Sequence, residues 1–213
     1  MARTIPTLEL ELTHAATCGG LIVGIDEAGR GPLAGPVVAA AVILDVDRLP
    51  CGIHDSKTLS RPKREALMEA ILEQAIVGVG EASAAEIDEI NILQATFLAM
   101  RRAVEALPIP PAVALVDGNR APRLEMPCHT VVKGDATCLS IAAASIVAKV
   151  TRDRIMDRLA AEHPGFGWER NAGYGTAEHI EALRQIGPTP HHRRSFSPVR
   201  AAFEALLPQE LAE

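Results

Sequence analysis

Acidic residues follow three separate apolar runs of the sequence. Asp26 and Glu27 close the first run, Asp117 closes the second, and Asp135 comes shortly after the third. In α/β sheets, the residues that bind or react collect at the ends of strands. Four carboxylates at one edge of a sheet would repel one another and would be costly to bury. Acids after strands are also common turn formers and helix caps, so their spacing alone leaves both interpretations open.

A hard divalent cation would remove the repulsion within such a cluster. Magnesium binds about one or two carboxylates together with water and phosphate oxygens. Two such ions roughly 4 Å apart form a clamp that serves phosphodiester cleavage. Asp26 and Glu27 are neighbours, and neighbouring residues of a regular strand point to opposite faces. We therefore expect the strand to end or to bulge at Asp26, ahead of the glycine turn that begins at Gly29.

The elements that would position these acids are predicted from hydrophobic periodicity and from turn residues. The predicted strands cover residues 21–26, 37–44, 75–82, 112–116 and 129–132. The predicted helices cover residues 61–74, 84–107 with a break at Asn91, 140–161, 177–185 and 201–211. This order predicts an α/β fold, in which a central sheet of five strands with mixed directions is flanked by helices.

The composition is that of an ordinary globular protein. Of its 213 residues, 48% are hydrophobic and 23% are charged, which is enough for a buried core and excludes intrinsic disorder. The formal net charge of -6 argues against a nucleic-acid-binding protein, whose footprint is usually basic. Residues 149–200 nevertheless hold nine basic against six acidic residues, so the charge is unevenly distributed along the chain.

Nothing in the sequence predicts a membrane or a secreted protein. The most apolar stretches, residues 35–44 and 141–150, are about half the roughly 20 residues that a span needs. Glu9 and Glu11 stand where a signal peptide would be apolar, so we expect a cytoplasmic protein. The four cysteines follow no zinc or CxxC spacing, which favours reduced thiols. We expect a monomer with a loose lead-in (1–19), one domain (20–200) and a tail (201–213).

Eight motifs follow one another between residues 20 and 200. They are Gly24–Ala40, Asp55-Ser56-Lys57, Asn91–Thr96, Val116–Asn119, Val132–Asp135, Ser140–Asp153, Gly173–Thr176 and His192–Phe196. In content and in order they resemble the motifs of bacterial ribonuclease HII, the type 2 ribonuclease H. Thr58 and Cys138 depart from the family's pattern, and neither is one of the acids.

The resemblance implies an RNase H-like fold with a small helical C-terminal extension. It implies an endoribonuclease that cleaves the RNA strand of RNA–DNA hybrids and nicks duplex DNA on the 5′ side of embedded ribonucleotides. The implied reaction is two-metal-ion hydrolysis with Mg²⁺ or Mn²⁺, and it leaves 5′-phosphate and 3′-hydroxyl ends. The implied partners are RNA–DNA hybrid and ribonucleotide-containing duplex DNA. The catalytic and metal-binding residues carry over to Asp26, Glu27, Asp117 and Asp135.

The resemblance also implies two ways of recognising the substrate. Main-chain groups of Gly29, Arg30 and Gly31 would contact the 2′-hydroxyl, which distinguishes ribose from deoxyribose. An ordinary tight turn is the alternative for these three residues. Tyr174 would stack on the deoxyribose that follows the ribonucleotide. The alternative for Tyr174 is a loop tyrosine that anchors the helix after it.

Four further residues are predicted to contact substrate phosphates. Ser56 and Lys57 form one pair, since a compact ammonium suits a single phosphate oxygen. Lys149 and Arg152 form the other, since their i, i+3 spacing puts them on one helix face. Solvated surface residues and surface ion pairs are the alternatives. The basic run 191–194 has the same two interpretations, a phosphate contact or a solvated turn.

Two other functions stay open on the sequence. Another nuclease or an integrase of the RNase H-like group would use the same acids on a different substrate, although the glycine turn and the Tyr174 motif argue against it. Ribonuclease HIII is similar but has an extra N-terminal domain, and only 25 residues precede Asp26. A non-catalytic hybrid-binding protein would keep the acids for structural reasons, although all four are present here.

Overall fold

The computed structural model describes residues 5–54 and 56–206. Their regular elements, in chain order, are α1 (Glu9–Cys18), β1 (Ile22–Ala28), β2 (Val37–Leu44), α2 (Arg61–Gln74), β3 (Ala75–Ala82), α3 (Ala84–Glu105), β4 (Val113–Asp117), β5 (Cys128–Val131), α4 (Gly134–Thr137), α5 (Leu139–Glu162), α6 (Trp168–Asn171), α7 (Ala177–Ile186) and α8 (Ser197–Leu206). Among these helices, none combines the length and the hydropathy that crossing a bilayer requires.

The strands form one sheet in the order β3-β2-β1-β4-β5. β1 pairs with β2 antiparallel, whereas β1 with β4 and β4 with β5 are parallel pairs. The predicted α/β fold with a mixed five-stranded sheet is therefore confirmed, and every predicted strand is found within two residues of its predicted ends. The predicted break at Asn91 is also found, as a residue with φ 67° inside α3.

Small side chains bring α5 close to the sheet. Residues 37–43 of β2 are no more than 3% exposed, and the alanines of residues 142–144 on α5 are fully buried in the same core. A Cβ added at Gly24 of β1 would lie 2.3 Å from the carbonyl carbon of Ser140. Such contacts do not occur, so the approach of β1 to the start of α5 requires glycine at this position.

Two compact units alternate along the described chain. The sheet unit comprises the chain up to Ala28, Val38–Glu81 and Thr96–Thr151, and the helical unit comprises Gly29–Val37, Ala82–Ala95 and the chain from Arg152 onward. The boundaries fall inside β2, β3, α3 and α5, so each of these elements contributes residues to both units. The single domain predicted over residues 20–200 stays a prediction.

The two ends of the chain differ from their predictions. Residues 9–18 of the predicted loose lead-in form α1, because the chain before them is tied to a distant segment. The Thr7 amide donates to Thr137, and the Thr7 carbonyl accepts from Leu139. The predicted C-terminal helix begins earlier, at Ser197. Residues 207–213 of the predicted tail and 1–4 of the lead-in lie outside the described residues.

Glu11 of α1 is a buried acid that caps α5. Its Oε1 accepts a hydrogen bond of 2.7 Å from the Ser140 amide and one of 3.2 Å from the Cys138 thiol. The first amides of a helix have no partner inside the helix, so a carboxylate there satisfies a donor and interacts favourably with the helix dipole. Only 6% of Glu11 is exposed, which makes this contact part of the core.

We predict that Glu11→Ala destabilises the protein by about 1–3 kcal/mol, because it leaves the buried Ser140 amide without its acceptor. Urea unfolding followed by circular dichroism measures the loss. Glu9→Ala is the matched control, since Glu9 is exposed on the same helix. Equal losses in the two variants would show that helix propensity, rather than the cap, is responsible.

Candidate active site

Asp26 lies near the end of β1 without interrupting it. The antiparallel ladder pairs Asp26 with Ala40 and continues through Glu27 to Ala28. The expected end or bulge of the strand at Asp26 is therefore wrong, and the pleat directs the two neighbouring side chains to opposite faces. Asp26 is buried, at 5% exposure, whereas Glu27 is half-buried. Glu27 still interacts with Asp26, since its amide donates to Asp26 Oδ1 at 2.8 Å.

Parallel pairing brings Asp117 to the same edge of the sheet. Ile25 lies opposite Val116, so Asp26 and Asp117 are the next residues along their two strands. The fourth acid, Asp135, follows a sharp change of chain direction after β5. Lys133 has φ 58° and ψ 40°, and α4 starts directly after it. The Gly134 amide donates to Asp117 Oδ1 at 2.7 Å, which connects the turn that carries Asp135 to the end of β4.

Electrostatic interactions link the four acids. Burial raises the pKa of Asp26 well above its ordinary value, and the charges of Glu27 and Asp117 raise it further. Burial also raises the pKa of Asp117, and the charge of Asp135 adds to this effect. Hydrogen bonds from neighbouring amides oppose both increases. Glu27 and Asp117 thus disfavour the ionised form of Asp26, and Asp135 disfavours that of Asp117.

The donor set fits a hard divalent cation. Carboxylate oxygens are the ligands that Mg²⁺ and Mn²⁺ prefer, and Asp26, Glu27, Asp117 and Asp135 would hold the ions. Neighbouring acids repel one another at this largely buried edge, and divalent cations would neutralise their negative charge. Hydrogen bonds and charge interactions connect Asp26 to Glu27 and Asp117, and Asp117 to Asp135. That these four acids hold metal ions together stays a prediction.

Lys57 and Ser56 do not occupy equivalent positions. Lys57 Nζ lies 2.9 Å from Asp135 Oδ2, and its side chain is 78% exposed. The ammonium thus pairs with one of the acids, and a phosphate contact by Lys57 stays a prediction. Ser56 is buried, and its hydroxyl lies 2.7 Å from that of Ser145 on α5. A phosphate contact by the Ser56 side chain is therefore contradicted, because this hydroxyl is used inside the protein.

Ser145, which the sequence places only on a helix, contacts Asp26 in the structure. Its hydroxyl donates a hydrogen bond to Asp26 that lowers the pKa of the carboxyl. Ser56 in turn contacts the Ser145 hydroxyl, although 89 residues separate them in the sequence. A hydroxyl within an otherwise alanine-rich helix was the available signal, but its partner could not be found without the fold.

The chain segment after β1 belongs to the helical unit, where the Arg193 guanidinium holds it. This side chain donates to the carbonyls of Gly29 at 2.6 Å, Arg30 at 2.9 Å and Gly35 at 3.0 and 2.9 Å. Burial lowers the pKa of Arg193 to about 9, so the guanidinium stays charged at neutral pH. The interpretation of residues 191–194 as a surface patch is therefore wrong for Arg193, which is fully buried.

Arg152 also binds main-chain carbonyls, whereas a phosphate contact was predicted for it. Its guanidinium donates to the carbonyls of Ala34 at 3.0 Å, Pro36 at 3.0 Å and Ala172 at 2.9 Å, and the residue is only 1% exposed. A direct phosphate contact by Arg152 is contradicted, because each of its three guanidinium nitrogens donates to a main-chain carbonyl in the buried interior. Lys149, three residues earlier on α5, is half-buried, and its phosphate contact stays a prediction.

Glycine is required at Gly29, where the Arg152 guanidinium approaches the turn after β1. Its φ is 98°, and an added Cβ would lie 2.0 Å from Arg152 Nε. Both the left-handed backbone and the close guanidinium exclude a side chain here. The alternative interpretation of this segment was an ordinary tight turn. In the structure the turn lies against two buried guanidinium groups, those of Arg152 and Arg193.

Comparison with known proteins identifies the family. The sequence model described as Ribonuclease HII matches residues 23–199. The chain belongs to the ribonuclease HII family. It is 63% identical over 199 residues to the ribonuclease HII of Paramagnetospirillum magneticum, which covers 92% of this chain and 97% of the relative. It is 59% identical over 194 residues to that of Rhizorhabdus wittichii, with 91% and 94% covered.

Solved structures confirm the RNase H-like fold. Ribonuclease H2 from Pyrococcus horikoshii superposes with a TM-score of 0.73 at 29% identity, covering 87% of this chain and 98% of that one. Bst-RNase HIII in complex with Mn²⁺ shows the same fold, with a TM-score of 0.70 at 22% identity and 87% and 70% covered. As a member of the ribonuclease HII family, the chain is a metal-dependent endoribonuclease, and the family acts on RNA–DNA hybrids.

Tyr174, the tyrosine of the ribonuclease HII motif, is half exposed next to the glycine turn. A Cβ at Gly31 would lie 3.4 Å from Tyr174 Cε1, so the ring is beside this residue. The Tyr174 carbonyl accepts a hydrogen bond from His179 Nδ1 at 2.9 Å. His179 Nε2 in turn accepts from the buried Trp168 indole at 3.1 Å and lies 3.0 Å from His192 Nε2. The ring is thus presented by a buried polar network.

We predict that Ser145→Ala raises the Mn²⁺ concentration for half-maximal hybrid cleavage by about tenfold, because Asp26 loses a hydrogen bond that orients it. A metal titration of initial rates measures this shift. Ser140→Ala, a buried hydroxyl at the start of the same helix, is the matched control and should leave the titration midpoint unchanged. The same shift in both variants would mean that packing of α5 is the cause.

Proposed function

We propose that this chain cleaves the RNA strand of RNA–DNA hybrids and nicks duplex DNA on the 5′ side of embedded ribonucleotides. The products would carry 5′-phosphate and 3′-hydroxyl ends, and two divalent cations, Mg²⁺ or Mn²⁺, would serve the reaction. The observation that supports this proposal is the set of four carboxylates, in which burial and neighbouring acids raise the pKa of Asp26 and of Asp117.

The acids would bind the cations and would not themselves attack the substrate. When bound, the pair of cations supplies Lewis acidity at the scissile phosphate. Asp26 would be held in place by the Glu27 amide and the Ser145 hydroxyl, which both donate to it. Asp117 is held by the Gly134 amide. Fixed carboxylates of this kind reduce the reorganisation that charge development in the transition state would otherwise require.

Lys57 would have a second role once cations neutralise the acids. Its ammonium pairs with Asp135, at 2.9 Å, and its side chain is mostly exposed. A flexible, exposed ammonium next to the cluster suits a phosphate oxygen of the substrate strand. Lys149, half-buried on α5, would contact the nucleic-acid backbone in the same way.

The geometry of the glycine turn supports recognition of the 2′-hydroxyl. Arg193 binds the carbonyls of Gly29 and Arg30. A trans peptide directs its amide N–H opposite to its carbonyl, so the amides of Arg30 and Gly31 point away from the buried guanidinium. Arg30 and Gly31 are exposed. Two amides on an open turn are suitable donors to a ribose hydroxyl, which deoxyribose lacks.

The exposed Tyr174 ring supports recognition of the junction between RNA and DNA. Half of its surface is open, and it lies beside Gly31 of the turn. An aromatic ring at this position would pack on the sugar that follows the ribonucleotide. A ring that served only to anchor the next helix would be buried, whereas here the main chain of Tyr174 makes the contact with α7 through His179.

We predict that Asp26→Asn lowers the rate of cleavage at a single ribonucleotide in duplex DNA by about a thousandfold or more. Binding of an RNA–DNA hybrid, measured by fluorescence anisotropy, should persist. Asp47→Asn, an exposed acid of the same unit, is the control and should cleave normally. Wild-type protein with EDTA should resemble Asp26→Asn. Cleavage that survives both treatments would refute the proposed chemistry, and hybrid binding without any cleavage by the wild type would identify a non-catalytic binding protein.

We predict that Tyr174→Ala reduces cleavage at single-ribonucleotide junctions about tenfold more than cleavage of a uniform hybrid, because stacking on an aromatic ring contributes about 1–3 kcal/mol. Tyr174→Phe keeps the ring and should cleave both substrates as the wild type does. Parallel rate measurements on the two substrates test this. Equal losses on both would favour an anchoring role for the side chain.

A further inference from the structure

A second group of metal-binding side chains lies in the helical unit. Glu162 ends α5, His163 follows it, and His191 comes from the segment before His192. The potential ligand atoms of Glu162, His163 and His191 all lie within 4.8 Å of one another. The rings of His163 and His191 meet edge to face, with centroids 5.1 Å apart. Glu162 is exposed and both histidines are half-buried, so the group is open to solvent on one side.

This donor set differs in chemistry from the carboxylate cluster. Two imidazoles and one carboxylate favour Zn²⁺, Ni²⁺ or Co²⁺ over Mg²⁺, which prefers oxygen ligands. A tetrahedral zinc ion with bonds of about 2.0–2.1 Å requires its ligands to be about 3.3 Å apart. A movement of the exposed Glu162 side chain and small rotations of the two histidine rings would bring the ligand atoms from within 4.8 Å of one another to this shorter separation.

We propose that Glu162, His163 and His191 form a site for a zinc-class transition metal, separate from the catalytic acids. The site uses three protein ligands and leaves a coordination position for water, as three-ligand zinc sites do. It does not depend on the proposed nuclease mechanism, because none of its residues belongs to the carboxylate cluster.

Metal binding at this site would stabilise the segment that holds the glycine turn. The His191 carbonyl accepts a hydrogen bond of 2.9 Å from the Gly35 amide. Two residues later, Arg193 donates to the carbonyls of Gly29 and Arg30. A cation shared by His191 and the end of α5 would therefore restrain this segment within the helical unit. Since a ligand that binds only the folded state raises its stability, the thermal midpoint should rise with metal concentration.

Trp168 provides a local reporter for the site. It is the single tryptophan of the chain, and its ring lies 6.1 Å from that of His163. Ni²⁺ quenches indole fluorescence at short range, so Ni²⁺ at this site should quench Trp168. The experiment is a Ni²⁺ titration of the full-length protein in excess Mg²⁺, which occupies the carboxylate cluster. Equilibrium dialysis with Zn²⁺ under the same conditions measures how many ions bind.

Two variants at the site and two control variants locate the binding. Glu162→Gln and His163→Gln should each weaken quenching and Zn²⁺ retention by at least about tenfold, since even groups that only support a metal ligand contribute 10–100-fold. Glu162 is exposed, so its substitution leaves the fold intact. Asp117→Asn should not change the titration. His14→Gln is the matched histidine control, because His14 also lies against another histidine, with ring centroids 4.6 Å apart at His129.

Two results would overturn the proposal. One is a Ni²⁺ titration that is the same in the wild type, in Glu162→Gln and in His163→Gln. The other is Zn²⁺ retention that is lost in His14→Gln or in Asp117→Asn but kept in Glu162→Gln. Loss of hybrid cleavage in any variant bears on the proposed nuclease function alone, because quenching and dialysis are measured without substrate.

Discussion

Burial of Asp26 among other carboxylates is the constraint on which the sheet unit depends. A buried carboxylate beside Glu27 and Asp117 is costly, and its raised pKa expresses that cost. The protein offsets part of it with hydrogen bonds from the Glu27 amide and the Ser145 hydroxyl. Divalent cations would neutralise the remaining charge. The close packing of an alanine-rich helix on β1 thus creates the buried setting of Asp26.

The acids and their strands could be predicted from the sequence because their signals are local. An apolar run followed by an acid and a glycine indicates the end of a strand, and this pattern can be recognised without the rest of the chain. The direction of β1 beyond Asp26 could not be predicted, since it depends on pairing with β2. Ser145 and Glu11 were missed for the same reason. Their partners are far away in sequence: Glu11 and Ser140, for example, are 129 residues apart.

The two units differ in the source of the positive charge inside them. In the sheet unit, positive charge is expected from metal ions, while in the helical unit two guanidinium groups act as scaffolds for main-chain carbonyls. A segment rich in glycine and proline forms few ladder hydrogen bonds of its own, and an arginine fork satisfies several carbonyls at once. The sequence showed Arg152 and Arg193 only as basic residues near motifs, and basic residues are usually exposed. Two of the nine basic residues between 149 and 200 are therefore buried inside the protein.

Lys133 has a consequence for attempts to engineer this protein. It occupies the left-handed region with φ 58°, where a residue with a side chain is strained and glycine is not. Laboratory evolution for heat resistance would therefore favour glycine or asparagine at this position. The same exchange would loosen the turn that carries Asp135, because glycine leaves the backbone more freedom. One backbone position thus couples the stability of the fold to the placement of Asp135.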